Sequence, residues 1–164
     1  MKRKIIIYQV LPRIFGNTNE NCIPNSSYEV NGSGKLNFFS DYILLKLKDL
    51  GCSHIWYTGI IEHATKTSFE QYGIKANHSD IVKGEAGSPY SITDYYDVAP
   101  SLSHKVNERV NEFAMLCKRT HDKGLKVIIA FVPNHVSREY ISDVKDVRSV
   151  DFGKNDNKNL RFHK

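Results

Sequence analysis

Residues 127–140 read VIIAFVPNHVSREY, and the apolar run delivers Asn134 and His135 just where it stops. An imidazole in that position can donate to a substrate hydroxyl, act as a general acid or bind a metal. Neighbouring backbone can also satisfy it, but its place at a strand end favours a functional role. The Asn134 amide can hydrogen-bond a loop, cap a turn, or give its carbonyl to calcium, which takes oxygen ligands. Residues 87–97, GSPYSITDYYD, hold Tyr90, Tyr95 and Tyr96. A tyrosine ring is an apolar plane with a polar tip, and the C–H face of a sugar packs on such a plane. Ordinary loop packing would use the three rings equally well. Asp94 and Asp97 read as ligands or, with more weight, as Asx-turn formers. Glu62–His63 is an isolated pair, expected at the surface. No G-x-x-x-x-G-K, G-x-G-x-x-G, G-x-S-x-G or H-E-x-x-H pattern occurs, so nothing indicates a phosphate loop, a nucleophile elbow or a zincin helix.

These groups need elements to hold them. Ile5–Val10 is short and β-branched, the signature of a buried strand. A loop rich in Asn, Ser and Gly follows over 16–34. Leu36, Phe39, Ile43, Leu47 and Leu50 then recur at spacings of three and four, which predicts one helix face ended by Gly51. Ser53–Thr58 is a second strand. The long segment 59–104 carries Gly59, Gly73, Gly84, Gly87, Pro89 and Pro100, so it reads as a functional loop or a small inserted subdomain. A second helix is expected over about 105–123, with Val106, Val110, Phe113, Leu116 and Cys117 inward. Leu125–Val132 is the third strand, expected to be covered on both faces. Strands separated by helices imply parallel, right-handed βαβ units. In such folds the working groups sit beyond the C-terminal ends of the strands, where Asn134 and His135 fall.

Composition narrows the classes. The 164 residues fit one ordinary domain, and 40% apolar with 25% charged residues is normal globular usage. The net charge of +5 is scattered rather than striped, which argues against a nucleic-acid partner. Cys22, Cys52 and Cys117 are odd in number and form no C-x-x-C, so neither a disulfide framework nor a zinc site is indicated. The N-terminal apolar run, Ile5–Ile7, is too short for a secretory core, and no stretch would span a membrane. A cytoplasmic setting is the expectation.

Several segments together resemble the α-amylase family of glycoside hydrolases. They are IIIYQVLPRIFG, LKDLG at a helix end, SHIWYTGII, YSITDYYDVAP, EFAMLCKRTHDKGLKVII, and Ala130–Phe131–Val132–Pro133–Asn134–His135. Their order and spacing agree with the family from about residue 5 to residue 140. The resemblance implies an α/β fold, an incomplete (β/α)₈ TIM barrel. This chain would supply roughly the first three β/α units, with a long loop after the second strand. Residues 1–140 would be the N-terminal part of the catalytic barrel, and 141–164 a polar loop after the third strand, open to disorder.

The resemblance also implies roles. Tyr90 matches a tyrosine that stacks on the sugar beside the scissile bond, and His135 a histidine that hydrogen-bonds that sugar. Asn134 matches an asparagine that binds a structural calcium in many members. The substrate class would be an α-glucan or a small glucoside. Such enzymes retain configuration, using a nucleophile and an acid about 5–5.5 Å apart. No catalytic residue is assigned here, because those carboxylates follow later strands. Asp151 and Asp156 read as loop carboxylates. The family signature has Asp where this chain has Ala130, and a methyl cannot replace its charge-assisted hydrogen bonds. The expectation is a truncated, inactive α-glycosidase-type chain that self-associates through exposed barrel edges. The alternative is a non-catalytic carbohydrate-binding or interaction remnant.

Overall fold

A computed structural model describes residues 4–144 and residue 148. Most of the expected polar loop 141–164, with Asp151 and Asp156, lies outside the described residues. In chain order the elements are β1 (Ile7–Val10), α1 (Tyr28–Asn31), α2 (Asp41–Asp49), β2 (His54–Tyr57), β3 (Ile61–His63), β4 (Ile92–Val98), α3 (Arg109–Asp122) and β5 (Lys126–Ile129). They divide into two compact units. The first comprises Met1–Thr18, Ser33–Ile60 and Pro100–Ala130, and the second Asn19–Gly32, Ile61–Ala99 and Phe131–Lys164.

The first unit is a parallel sheet in the order β1-β2-β5, with α3 packed against β5 and α2 against α3. Its ladder aligns Tyr8 with Ile55 and Val127, and Val10 with Tyr57 and Ile129. The three strands expected from the sequence therefore form, each shorter than its apolar run, and the sheet is open rather than closed. One face packs on the helices. Phe39 meets the edge of Tyr57 at 5.1 Å between ring centroids and stacks on Phe15 at 5.3 Å. Leu36, Leu44, Leu47 and Leu116 are buried around them.

The helices begin later than periodicity suggests. Leu36–Phe38 and Val106–Glu108 are separate 3-10 turns, and α2 starts after Ser40, whose side chain accepts from the Ile43 N–H. Gly51 ends α2 at φ +87°, a region that disfavours any residue with a Cβ. Arg119 of α3 donates to the Phe39 and Leu36 carbonyls, and Lys123 pairs with Asp41 at 2.7 Å, so α3 grips the start of α2.

Four expectations for this unit need correction. Ile5–Val10 is not a buried strand: Ile5, Ile6 and Ile7 are exposed at an edge of the sheet, and of β1 only Val10 is buried. Leu50 is 71% exposed, because the helix has already turned its buried stripe to Leu44 and Leu47. Val110 is exposed, and Cys117 is half-buried rather than core; Glu112, Leu116 and Thr120 are the buried residues of α3. Finally, β5 is not covered on both faces. It pairs only with β2 among the described residues, and Ile129 is 46% exposed.

Thr120 enters this core with its hydrogen bonds satisfied. Its hydroxyl donates to the Leu116 carbonyl at 2.8 Å and so accepts from the Tyr57 hydroxyl, also at 2.8 Å. Burial pushes the Tyr57 phenol up to about 12, partly opposed by Thr120, whose hydroxyl can turn to donate to a phenolate.

The second unit corrects the loop expected over 59–104. Its β3 and β4 form an antiparallel pair with irregular register, aligning Ile61 with Val98, Glu62 with Asp94 and His63 with Ile92. The inserted-subdomain reading is the one the structure favours.

Two outcomes test the first unit. Leu116→Ala should cost about 2–5 kcal/mol in urea unfolding, while Leu50→Ala should stay within about 0.5 kcal/mol. Between pH ~10 and ~12 the unfolded Tyr57 ionises while the folded one stays neutral. Stability should therefore fall as pH rises through that window, by at most about 1.4 kcal/mol per pH unit, and Tyr57→Phe should remove that component.

Candidate functional site

The sequence-predicted site residues all fall in the second unit, and β4 organises it. Its residues Thr93, Asp94 and Asp97 are buried and polar, which is why its periodicity is hard to read. Each has a partner. Thr93 donates to the Glu62 carboxylate at 2.7 Å across the hairpin. Asp94 accepts from the Tyr96 N–H through Oδ1 and from the Asp143 N–H through Oδ2, both at 2.9 Å. Asp97 accepts from the Val98 N–H at 2.7 Å. The Asx-turn reading of Asp94 thus holds, since its carboxylate bonds backbone two residues on. Glu62 and His63 are corrected: both are buried, and the His63 Nδ1 bonds the Ile61 carbonyl at 2.9 Å.

Segment 131–144 is bonded to four successive residues of β4, Ile92 to Tyr95. Ser137 N–H donates to the Ile92 carbonyl at 2.7 Å, and Ile141 N–H to the Thr93 carbonyl at 3.0 Å. The Tyr95 hydroxyl donates to the Val132 carbonyl and lies 3.2 Å from the His135 carbonyl. The Tyr95 ring packs with Phe131 at 5.3 Å and Tyr140 at 5.8 Å. Burial, the largest cause, holds the Tyr140 phenol above the ordinary tyrosine range.

His135 and Asn134 are exposed on the turn this stitching fixes, with the His135 Nδ1 3.0 Å from the Asn134 Oδ1. Tyr90 is 49% exposed in a turn closed by Ser91 N–H on the Ser88 carbonyl, just before β4. The Ser137–Ile92 bond places the chain two residues beyond His135 against the chain two residues beyond Tyr90. Both are open to a ligand from solvent.

The calcium expectation finds little to build on. Asn134 offers one amide oxygen, already engaged by His135. Among the described residues no group of three or more His, Cys, Asp or Glu side chains is gathered to hold a metal. Calcium takes six to eight oxygens. Among the described residues Asn134 supplies one such oxygen.

Reasoning from sequence missed Glu139. It is buried, and its carboxylate accepts from the Asn77 amide at 3.1 Å and the His78 N–H at 2.9 Å, which fixes the loop before Gly87. Gly87 itself has φ +67°, and a Cβ there would lie 1.7 Å from the Ala64 carbonyl oxygen.

The alpha amylase catalytic domain pattern matches residues 9–161. The chain belongs to the alpha-amylase family. Among its relatives, an alpha-glucosidase of Apis mellifera is 26% identical over 141 residues, covering 85% of this chain and 18% of that protein. The trehalose-6-phosphate hydrolase of Bacillus subtilis (strain 168) is 25% identical over 149 residues, covering 91% and 20%. The human amino acid transporter heavy chain SLC3A1 is 27% identical over 135 residues, covering 82% and 14%. The chain thus spans a fifth or less of the length of these relatives. Among solved structures, the alpha-amylase of Geobacillus thermoleovorans, complexed with acarbose, superposes with a TM-score of 0.55 at 25% identity, covering 83% of this chain and 24% of that one. The trehalose-6-phosphate hydrolase of Bacillus licheniformis gives 0.53 at 24%, covering 84% and 18%. Family and neighbours together make the open parallel sheet part of a TIM barrel. Among the described residues no helix is long and apolar enough to cross a membrane.

The packing of the second unit gives a direct test. Gly87→Ala should destabilise by an amount on the order of 3 kcal/mol, since both the left-handed backbone and the carbonyl contact oppose a methyl. Gly73→Ala, with positive φ but no atom within 4 Å, should cost clearly less. Urea unfolding followed by tyrosine fluorescence compares the two.

Proposed function

We propose that residues 1–140 are roughly the first three β/α units of an α-amylase-type barrel that acts on α-glucosidic bonds. They supply one wall of a saccharide site and no catalytic carboxylate. One observation carries this reading. The turns bearing Tyr90 and His135 are both anchored beside Ile92, and both present exposed polar aromatic groups. A ring to stack on and an imidazole to hydrogen-bond are the two contacts a pyranose needs from such a wall. The family supports the substrate class, an α-glucan or small glucoside. Without a paired acid and nucleophile these contacts bind but do not cut.

A second reading has a specific observation behind it. Ala130 is half-buried and carries a methyl where the family resemblance expects an aspartate. A relative, moreover, is a transporter heavy chain rather than a named hydrolase. A non-catalytic carbohydrate-binding or interaction role would suit both facts.

Titration of the chain with maltose, followed in its amide NMR spectrum, tests the proposal. Saturable shifts are expected around residues 88–92 and 132–137. Tyr90→Ala and His135→Ala should each weaken binding about tenfold, and p-nitrophenyl α-glucoside should stay uncut. A spectrum unmoved by maltose would favour the interaction role, and cleavage by the chain alone would overturn the account of its missing carboxylates.

A further inference from the structure

We propose that Tyr95 is a positioning residue for the saccharide wall: its hydroxyl clamps the turn 132–135, which holds His135 as the Nδ1–H tautomer with Nε2 left as the acceptor for a sugar hydroxyl. The inference rests on the saccharide reading above and assigns a role to a residue outside the Tyr90–His135 pair.

The chemistry follows from the atoms. An amide oxygen has no proton, so the Asn134 Oδ1 can only accept. The His135 Nδ1, 3.0 Å away, must then be the donor. In a neutral imidazole the other nitrogen is consequently bare. A saccharide hydroxyl meeting Nε2 would donate to it. That reverses the donor role first suggested by the strand-end position of His135.

Asn134 and His135 are both exposed, and water competes for a hydrogen bond between two exposed side chains. Something else must hold them in one geometry. The Tyr95 hydroxyl supplies it, because it engages the Val132 carbonyl and reaches the His135 carbonyl, the two ends of the turn. Its ring is itself fixed between Phe131 and Tyr140. The neighbouring Tyr96 has an exposed ring and serves as an internal control.

Long-range proton–nitrogen NMR of the ring nitrogens reads the tautomer at about pH 8.5, above the histidine range. The His135 signals are assigned by their loss in His135→Gln. The wild-type chain should show His135 protonated at Nδ1. Tyr95→Phe keeps the ring and loses the hydroxyl. It should shift His135 toward the Nε2–H form and weaken maltose about fivefold, whereas Tyr96→Phe should do neither. A wild-type His135 protonated at Nε2, or a folded Tyr95→Phe with an unchanged His135 pattern, overturns the proposal. Should Tyr95→Phe not fold, the wild-type Tyr95 hydroxyl proton decides. Slow exchange with water supports the clamp, and exchange as fast as at Tyr96 overturns it. The saccharide reading fails separately: maltose would then leave the wild-type spectrum unmoved while the Nδ1–H pattern persists.

Discussion

Everything at the candidate site depends on the backbone of β4 being bonded to two different segments. On β3 it finds a short, irregular partner, and on 137–143 it finds an unpaired length of chain that would otherwise be a loop. A segment held only by its ends has many conformations. Each residue fixed costs about 1–2 kcal/mol of backbone entropy, so a polar turn such as 132–135 needs bonds along its length to keep one shape. The Ser137–Ile92, Ile141–Thr93 and Asp143–Asp94 bonds, together with the Tyr95 hydroxyl, provide them. The buried carboxylates serve the same end. Asp94 accepts from two backbone N–H groups, and Glu139 from a backbone N–H and an amide, which ties loops together without leaving a buried charge unmet.

The first unit solves a different problem. Its sheet packs on α3, and the core is built around Tyr57, the largest fully buried side chain. A phenol in a dry core needs an acceptor, and a hydroxyl serves cleanly when its own proton is already used. Thr120 meets that condition because its hydroxyl donates back to Leu116, a bond that a helical threonine makes readily. A valine would fill the space and strand the phenol. The polar residue in the stripe of α3 is thus part of the core's logic.

Strand and helix order was legible because apolar runs and three-four spacings reflect burial directly, and Gly51 and Gly124 mark helix ends through their left-handed backbone. The phase of each helix was less so. Leu50 and Val110 satisfy the spacing, yet each falls where the helix has begun or ended differently from the pattern, so both face solvent. The β3–β4 hairpin was hidden for a physical reason. Five of its seven buried positions, Glu62, His63, Thr93, Asp94 and Asp97, are polar and are held by hydrogen bonds; only Ile92 and Val98 are apolar. A binary hydrophobic pattern cannot report that. Asn134 and His135 stood out because polar groups at the end of an apolar run are conspicuous, and Tyr90 through its tyrosine-dense segment and the family resemblance. Glu139 did not, and the hydroxyl bond of Tyr95 was not legible, because each role lies in a partner distant in sequence.

The open sheet sets the remaining constraint. Among the described residues β1 and β5 each pair on one side only, so their outer N–H and C=O groups face no strand. Ile5, Ile7 and Ile129 lie exposed near those edges. Unpaired edges with apolar flanks are templates for further strands, whether from the same polypeptide, as a closed barrel would require, or from another copy. The turn carrying Asn134 and His135 is insulated from those edges to the extent that its own bonds run to β4 within the second unit. A turn built this way keeps its local geometry on hydrogen bonds that the edge strands do not share.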